Sequence, residues 1–388
     1  MINLIPDTKP MLSGYEDGFV ETFRTFSQSK SIDKTFHQAL DSLLETSYTT
    51  PHHMLRVKAE NELEIFQQSI GTKGHLIAVF QMLYLIDKND KNTFDKYYTY
   101  VLGYIKRSGK LSDIGPQDHL QILACVVCCI ITKEMSFKLR EKLVYCFEQL
   151  IQIESNESDT VKLTIGSFLI KNLGSLQSHQ LGGALMVLQH LANSFNNQDF
   201  CMEASRTILA IGEKIVLLTA NINSLNYEEA FEVLNMLSTI AAASSKLIAK
   251  FASYYSNLYS DCILISEGFL VFFDKIITMD FFNTGSSLIC FHDDPAVCEV
   301  VNSMKANIIR GISKVAESIY RKGEEHLRFR PSELDSPEKK KSTLFNYNMI
   351  KYLLKELHAS LKIASEKNIV LTDEVKWLVY LLLYPQRG

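Results

Sequence analysis

The chain is predicted to be all-α: an α-solenoid of antiparallel helical hairpins, with an irregular multi-helix bundle as the alternative. Three observations carry that expectation. Apolar residues recur at i, i+3 and i+4 along most of the 388 residues, the spacing that lines one face of a helix. No string of alternating apolar and polar residues marks a set of strands. One helical pair also repeats, since "HLIAVFQMLYLI" from His75 superposes on "HLQILACVVCCI" from His119 at an offset of 44.

The totals restrict the setting. Forty basic against 44 acidic residues leave a net charge of −4, which offers no global attraction to nucleic acid or to an anionic membrane. A hydrophobic share of 46% with 22% charged residues is that of a folded chain rather than a disordered one. The N-terminal "MINLIPDTKPMLSGYEDGF" lacks the basic, apolar and small-residue regions of a secretory signal. No apolar run reaches the ~18 residues of a membrane span, so no membrane insertion is expected. The cysteines lie mainly inside apolar runs without a disulfide framework, which points to a reducing compartment, cytoplasmic or nuclear.

Taken in order, the elements follow from period and punctuation. Thr50-Pro51, Gly115-Pro116 and Asp294-Pro295 each set a proline at a first helical position, where its missing N–H costs nothing. Leu76, Val79, Phe80, Leu83 and Ile86 form one apolar face. Leu76 pairs with Leu120, Val79 with Leu123, Leu83 with Val127 and Ile86 with Ile130. The helices that follow correspond too, with Phe94, Tyr100, Val101 and Tyr104 falling on Phe137, Leu143, Val144 and Phe147 at an offset of 43. A looser third unit starts at Val161 and Leu181, and a fourth lies around "SRTILAIGEKIVLL" and "EEAFEVLNMLSTI", where Val233, Leu234, Leu237 and Ile240 recur.

Hairpins repeating near ~40–47 residues resemble HEAT and armadillo arrays. The likeness is one of architecture, because neither family's consensus residues are present. Asn226 before "YEEAF" and Thr372 before "DEVKWL" read as N-caps with acidic first turns. The segment from Met279 to Pro295 reads as a loop. The resulting division is a helical-repeat array over 1–322, clearest over 73–245, then a charged exposed linker over 323–343. A C-terminal helical pair over 344–388, anchored by Trp377, packs on the array.

The loudest chemical signal is the C-x-x-C-C of Cys125, Cys128 and Cys129. In the repeat alignment Cys128 falls on Tyr84 and Cys129 on Leu85, both inside an apolar run, while Cys125 falls on Gln81. Free cysteine packs as a small hydrophobe, and structural zinc needs a second ligand pair, so these cysteines read as core. Cys290, His292, Asp294 and Cys298 in "CFHDDPAVC" would offer zinc mixed S, N and O donors. Their spacing matches no motif with a mechanism, so Asp294 reads instead as an N-cap and the cysteines as flanking core; no metal or cofactor is expected. His52 and His53 are neighbours that point apart on a helix and read as surface. Of Glu60, Glu62 and Glu64, only the first and last share a face.

Ser336 heads an S-P-x-K sequence followed by Lys340 and Lys341, the form favoured by proline-directed kinases. A phosphate there would face Arg328, Arg330, Lys339, Lys340 and Lys341. Catalytic signatures are missing: there is no phosphate-binding G-x-x-x-x-G-K-[ST], no G-x-S-x-G and no H-E-x-x-H, and "GTKG" from Gly71 is too short. The function expected is therefore that of a non-enzymatic scaffold or adaptor, a subunit of a larger assembly that binds a peptide or another protein subunit along a helical-repeat surface. Tyr97, Tyr98, Tyr254 and Tyr255 are its candidate interface aromatics. A nucleic-acid-binding repeat protein and an all-α enzyme are the alternatives.

Overall fold

A computed structural model describes residues 9–28, 34–107, 111, 114–152, 158–194, 198–219, 225–254, 260–277, 294–304, 306–308 and 310–311. The all-α expectation holds, with no strand among these residues. The helices are α1 (Lys9–Ser27), α2 (Lys34–Thr49), α3 (His53–Leu85), α4 (Lys91–Arg107), α5 (Pro116–Thr132) and α6 (Phe137–Ile151). Next come α7 (Ser158–Asn172), a 3-10 turn (Leu173–Ser175) and α8 (Ser178–Ser194). Then follow α9 (Gln198–Thr219), α10 (Tyr227–Tyr254) and α11 (Ser260–Ile277). Residues 295–304 are helical as well. The chain divides into two compact units, Met1–Val187 and Leu188–Gly388, with the boundary inside α8.

In the first unit α3 packs on α4 and α5 on α6, while α3 also lies beside α5 and α4 beside α6. These two hairpins are the ones paired by the sequence repeat. Their junction carries ties between residues 45 to 49 apart in sequence. Lys73 meets Asp118 at 2.7 Å, Lys88 meets Glu134 at 3.1 Å and Lys142 meets Asp95 at 2.5 Å. Exposed ion pairs of this kind contribute little singly. More is held beneath them, where the Lys133 ammonium donates to the carbonyls of Tyr84 (2.7 Å) and Ile86. Lys133 is itself buried, and it satisfies carbonyls that the end of α3 leaves without intrahelical donors.

Helix α5 is the axis of this unit. Every residue from Ile122 to Ile131 is buried, because α1, α3, α6 and α7 all pack against it. A helix apolar all round requires such enclosure. Even α8 comes close: a Cβ placed at Gly183 would stand 2.3 Å from the Ile130 carbonyl oxygen. Only a residue without a side chain allows that approach.

Helix α1 lies across the α3–α5–α7 row. Its Glu16 pairs with Lys171 of α7, and Phe19 and Phe23 each place their rings 5.0 Å from Phe168. Farther along, Phe26 sits 5.4 Å from the Tyr84 ring, and the Tyr84 hydroxyl donates to the Ser27 carbonyl at 3.3 Å.

Helix α3 bends at Gly71, whose φ of 77° and ψ of 156° fall in a region open essentially to glycine alone. The Tyr100 hydroxyl of α4 bridges the bend, accepting from Gln67 Nε2 before it and meeting His75 Nε2 after it, each at 2.7 Å. One expectation fails nearby. Pro51 is not the first helical residue; α3 starts at His53 with His52 as its cap. The His52 carbonyl accepts the Arg56 N–H at 3.1 Å and so fixes where the helical ladder begins. The other two prolines do open helices, Pro116 in α5 and Pro295 at the start of 295–304.

In the second unit α9 packs on both α10 and α11, which also touch each other. Asn226 caps α10: its Oδ1 accepts the Glu229 N–H at 2.9 Å and its own N–H donates to Glu229 Oε2 at 3.3 Å. That reciprocal pair is a capping box.

Candidate functional site

Among the described residues the cysteines are mostly withdrawn from water. Cys125, Cys128, Cys129 and Cys146 are all buried. Desolvation raises each thiol above its usual range, Cys128 to about 12. Cys146 also reaches about 12, with Lys106 pulling the other way. Cys125 and Cys129 are raised by the same cause. A thiol held this high supplies almost no thiolate, the form that attacks or ligates. Among the described residues no group of three or more His, Cys, Asp or Glu side chains could hold a metal ion. The C-x-x-C-C stretch is the inside of α5. Cys125, which the repeat aligns with Gln81, is as buried as the others.

His75 and His119, paired by the repeat, occupy matching places. Both are buried near the start of the apolar stretch of a first helix, and each ties it to the second helix of its hairpin. His75 does so through the Tyr100 hydroxyl, and His119 through the Leu150 carbonyl, which lies 2.9 Å from its Nε2. Desolvation lowers the His75 pKa to about 4 and pulls His119 down too, the latter partly offset by its carbonyl bond. These imidazoles are neutral structural links at neutral pH.

Of the candidate interface aromatics, Tyr97 and Tyr98 part company. Tyr97 is fully buried, and its hydroxyl donates to Asp41 Oδ1 of α2 at 2.8 Å. It belongs to the core because it continues the stripe of Phe94, Val101 and Ile105, so it offers no surface to a partner. Tyr98 is half-buried on the flank of α4, next to Cys146 and Tyr145 of α6, with the Lys142 ammonium 5.5 Å from its ring centre. Desolvation raises its hydroxyl to about 12, with Cys146, Tyr145 and Asp95 adding to the effect. Tyr145, on α6, is exposed, and the Lys106 ammonium stands 5.0 Å from its ring. The α4–α6 pair therefore brings together two tyrosines, exposed Tyr145 and half-buried Tyr98, each with a lysine over it.

Tyr145 is not among the candidates read from sequence, although its position carries a signal. It falls outside the buried set Leu139, Leu143, Cys146 and Leu150 that turns α6 inward. The Phe19, Phe23 and Phe26 series of α1 is legible in the same way and is likewise missing from those candidates.

Other candidates fare differently. Asp294 is an N-cap, accepting the Ala296 N–H at 2.8 Å and the Tyr227 hydroxyl at 2.6 Å. The Tyr227 bond and then the Ala296 bond hold its carboxyl below the usual range. Cys298 is exposed, which corrects the expectation that it joins the core, since its helix turns Val297, Val301 and Met304 inward instead. His52 and His53 are exposed, as expected. Arg56 and Lys58 pair with Glu60 and Glu62 along the surface of α3. Tyr254 closes α10. Cys290, His292, Tyr255, Arg328, Arg330, Ser336, Lys339, Lys340 and Lys341, with the linker and the C-terminal pair, lie outside the described residues. No helix among the described residues is long and apolar enough to cross a membrane. No family model matches the chain, and no curated protein shows significant similarity to it.

Proposed function

We propose that the protein is a non-enzymatic scaffold or adaptor that binds another protein subunit, with the α4–α6 pair as a contact surface. The observation that carries the reading is exposed Tyr145 on α6 with half-buried Tyr98 of α4 beside it, each under a lysine. Tyrosine supplies a large amphipathic contact area and is enriched at interfaces, where a few such anchors carry most of the binding energy. The junction of hairpins α3–α4 and α5–α6 agrees with a stack of hairpins of the solenoid kind, which offers continuous surfaces of this type. Nucleic acid is the less favoured partner: Lys73, Lys88, Lys96, Lys142 and Lys171 each reach a carboxylate, leaving less positive charge for phosphates.

The test is quantitative affinity purification of the tagged full chain, wild type against Tyr145→Ala. A partner whose recovery falls by about tenfold, equivalent to loss of about 1.4 kcal/mol, supports the reading. Equal recovery with both proteins removes the α4–α6 face from it, and failure to recover any partner with the wild type removes the scaffold role.

A further inference from the structure

Half of the large apolar side chains exposed among the described residues crowd into one stretch of α3. Of the eight, Met54 (80% exposed), Leu55 (51%), Ile65 (66%) and Ile70 (38%) all precede the bend at Gly71. The inward side of this stretch is already occupied: Ala59 and Leu63 are buried, and the Phe66 ring lies 5.0 Å from that of Phe36 on α2. Ile70 follows Leu63 by seven residues and falls on that inward line. Met54, Lys58, Asn61 and Ile65 succeed one another at intervals of 4, 3 and 4 residues, which sets them in one stripe along the opposite side. All four are exposed, and Leu55 flanks them. From either end the stripe reads the same: apolar, polar, polar, apolar. Its charges have a direction, since Arg56 and Lys58 come before Glu60, Glu62 and Glu64. A second copy laid parallel sets lysine on lysine and glutamate on glutamate. Laid antiparallel, it sets Met54 on Ile65, Lys58 on Asn61, and the basic end of each helix on the acidic end of the other.

We propose that the half of α3 before Gly71 is a self-association surface, and that its occupant is the same stretch of a second copy, packed antiparallel about a two-fold axis between Ala59 and Glu60. Each contact then occurs twice, as an isologous interface requires. Lys58 pairs with Glu62 within its own helix at 3.7 Å, and both side chains stay well exposed. Across the axis Lys58 of one copy comes beside Glu62 of the other, so the two pairs join into one network of four charges. Met54 and Ile65 close the seam at both ends, where they leave water together. Two helices meeting over about three turns bury an area at the small end of specific interfaces, which sets the dissociation constant on the order of 10–100 µM. The inference goes beyond the scaffold reading, for it concerns another helix and requires no other protein.

The test is sedimentation velocity of the purified full chain, over concentrations reaching about tenfold either side of that constant. Reducing buffer keeps exposed Cys298 from linking copies. Wild type is compared with Met54→Lys, Lys58→Glu and Glu62→Lys, all at exposed positions, with unchanged helical circular dichroism as the check of folding. The expected result is a wild-type dimer that each variant alone weakens by at least about tenfold. An equimolar mixture of Lys58→Glu with Glu62→Lys should restore it, because opposite charges then face each other at both crossings. Parallel pairing already sets lysine on lysine, so neither charge reversal would weaken it. A wild-type chain that stays monomeric throughout the range overturns the proposal, as does a dimer indifferent to Met54→Lys. Single charge variants that associate as the wild type does, or a mixture that fails to recover, overturn it as well. A monomeric chain that still recovers a partner in the purification above leaves the scaffold reading intact and sinks this one. A dimer that recovers no partner does the reverse.

Discussion

Acid should weaken the first unit through His75, and the size of the effect follows from its surroundings. The imidazole is wholly buried, touches the Tyr100 hydroxyl with Nε2 and carries no partner on Nδ1. Phe66, Tyr100 and Tyr104 surround it with rings. Its pKa is lowered from 6.5 to about 4 by desolvation. Between those values the unfolded chain binds a proton that the folded chain refuses, so stability rises with pH across this window. The contribution is fully present above pH 6.5 and is lost as pH falls toward 4. At about 1.36 kcal/mol per unit, the whole shift is worth roughly 3 kcal/mol, of which about 2.5 kcal/mol is gone by about pH 4.5. The measurement is urea unfolding of the full chain at about pH 7.5 and about pH 4.5, wild type against His75→Gln. Comparing the two proteins cancels the carboxylates, which titrate in both. The expected outcome is a pH-dependent loss smaller by about 2 kcal/mol in the variant, whatever its absolute stability. An identical loss in both proteins would refute the assignment of a buried neutral imidazole.

Three further outcomes are expected. Gly183→Ala places a methyl group against the Ile130 carbonyl at the α8–α5 crossing and should cost about 1–3 kcal/mol despite alanine's better helix propensity, read as a drop in thermal midpoint. Asn226→Ala removes the capping box of α10 and should cost about 1 kcal/mol; Asn226→Asp should recover most of it in the same thermal measurement. Iodoacetamide at about pH 8 should modify Cys298 in the native protein while leaving Cys125, Cys128, Cys129 and Cys146 intact until denaturant is added. Peptide mass spectrometry reads the order, and early labelling of Cys129 would contradict the packing of α5.

Local period carries much of this protein into the open. Helix after helix follows from the i, i+3, i+4 recurrence, because burying one face of a helix demands that spacing whatever the neighbour. The same regularity exposes the pairing of His75 with His119, and Asn226 announces its capping box through residue type and position alone. Even the burial of Tyr97 is legible, since it stands three residues after Phe94 and four before Val101, on the stripe those two define.

Hydrophobic attraction has no direction, so the apolar faces of α1 and α5 could not say that they would meet. Tertiary packing made that choice, and it explains why Cys128 and Cys129 are buried while their repeat counterparts Tyr84 and Leu85 are only partly covered. It also selected the bend at Gly71: glycine permits that backbone angle, but nothing local says it will be adopted there rather than at Gly74. Which tyrosines come together, Tyr98 from α4 and Tyr145 from α6, was decided the same way: sequence places each on its helix, and only the pairing of helices brings them side by side.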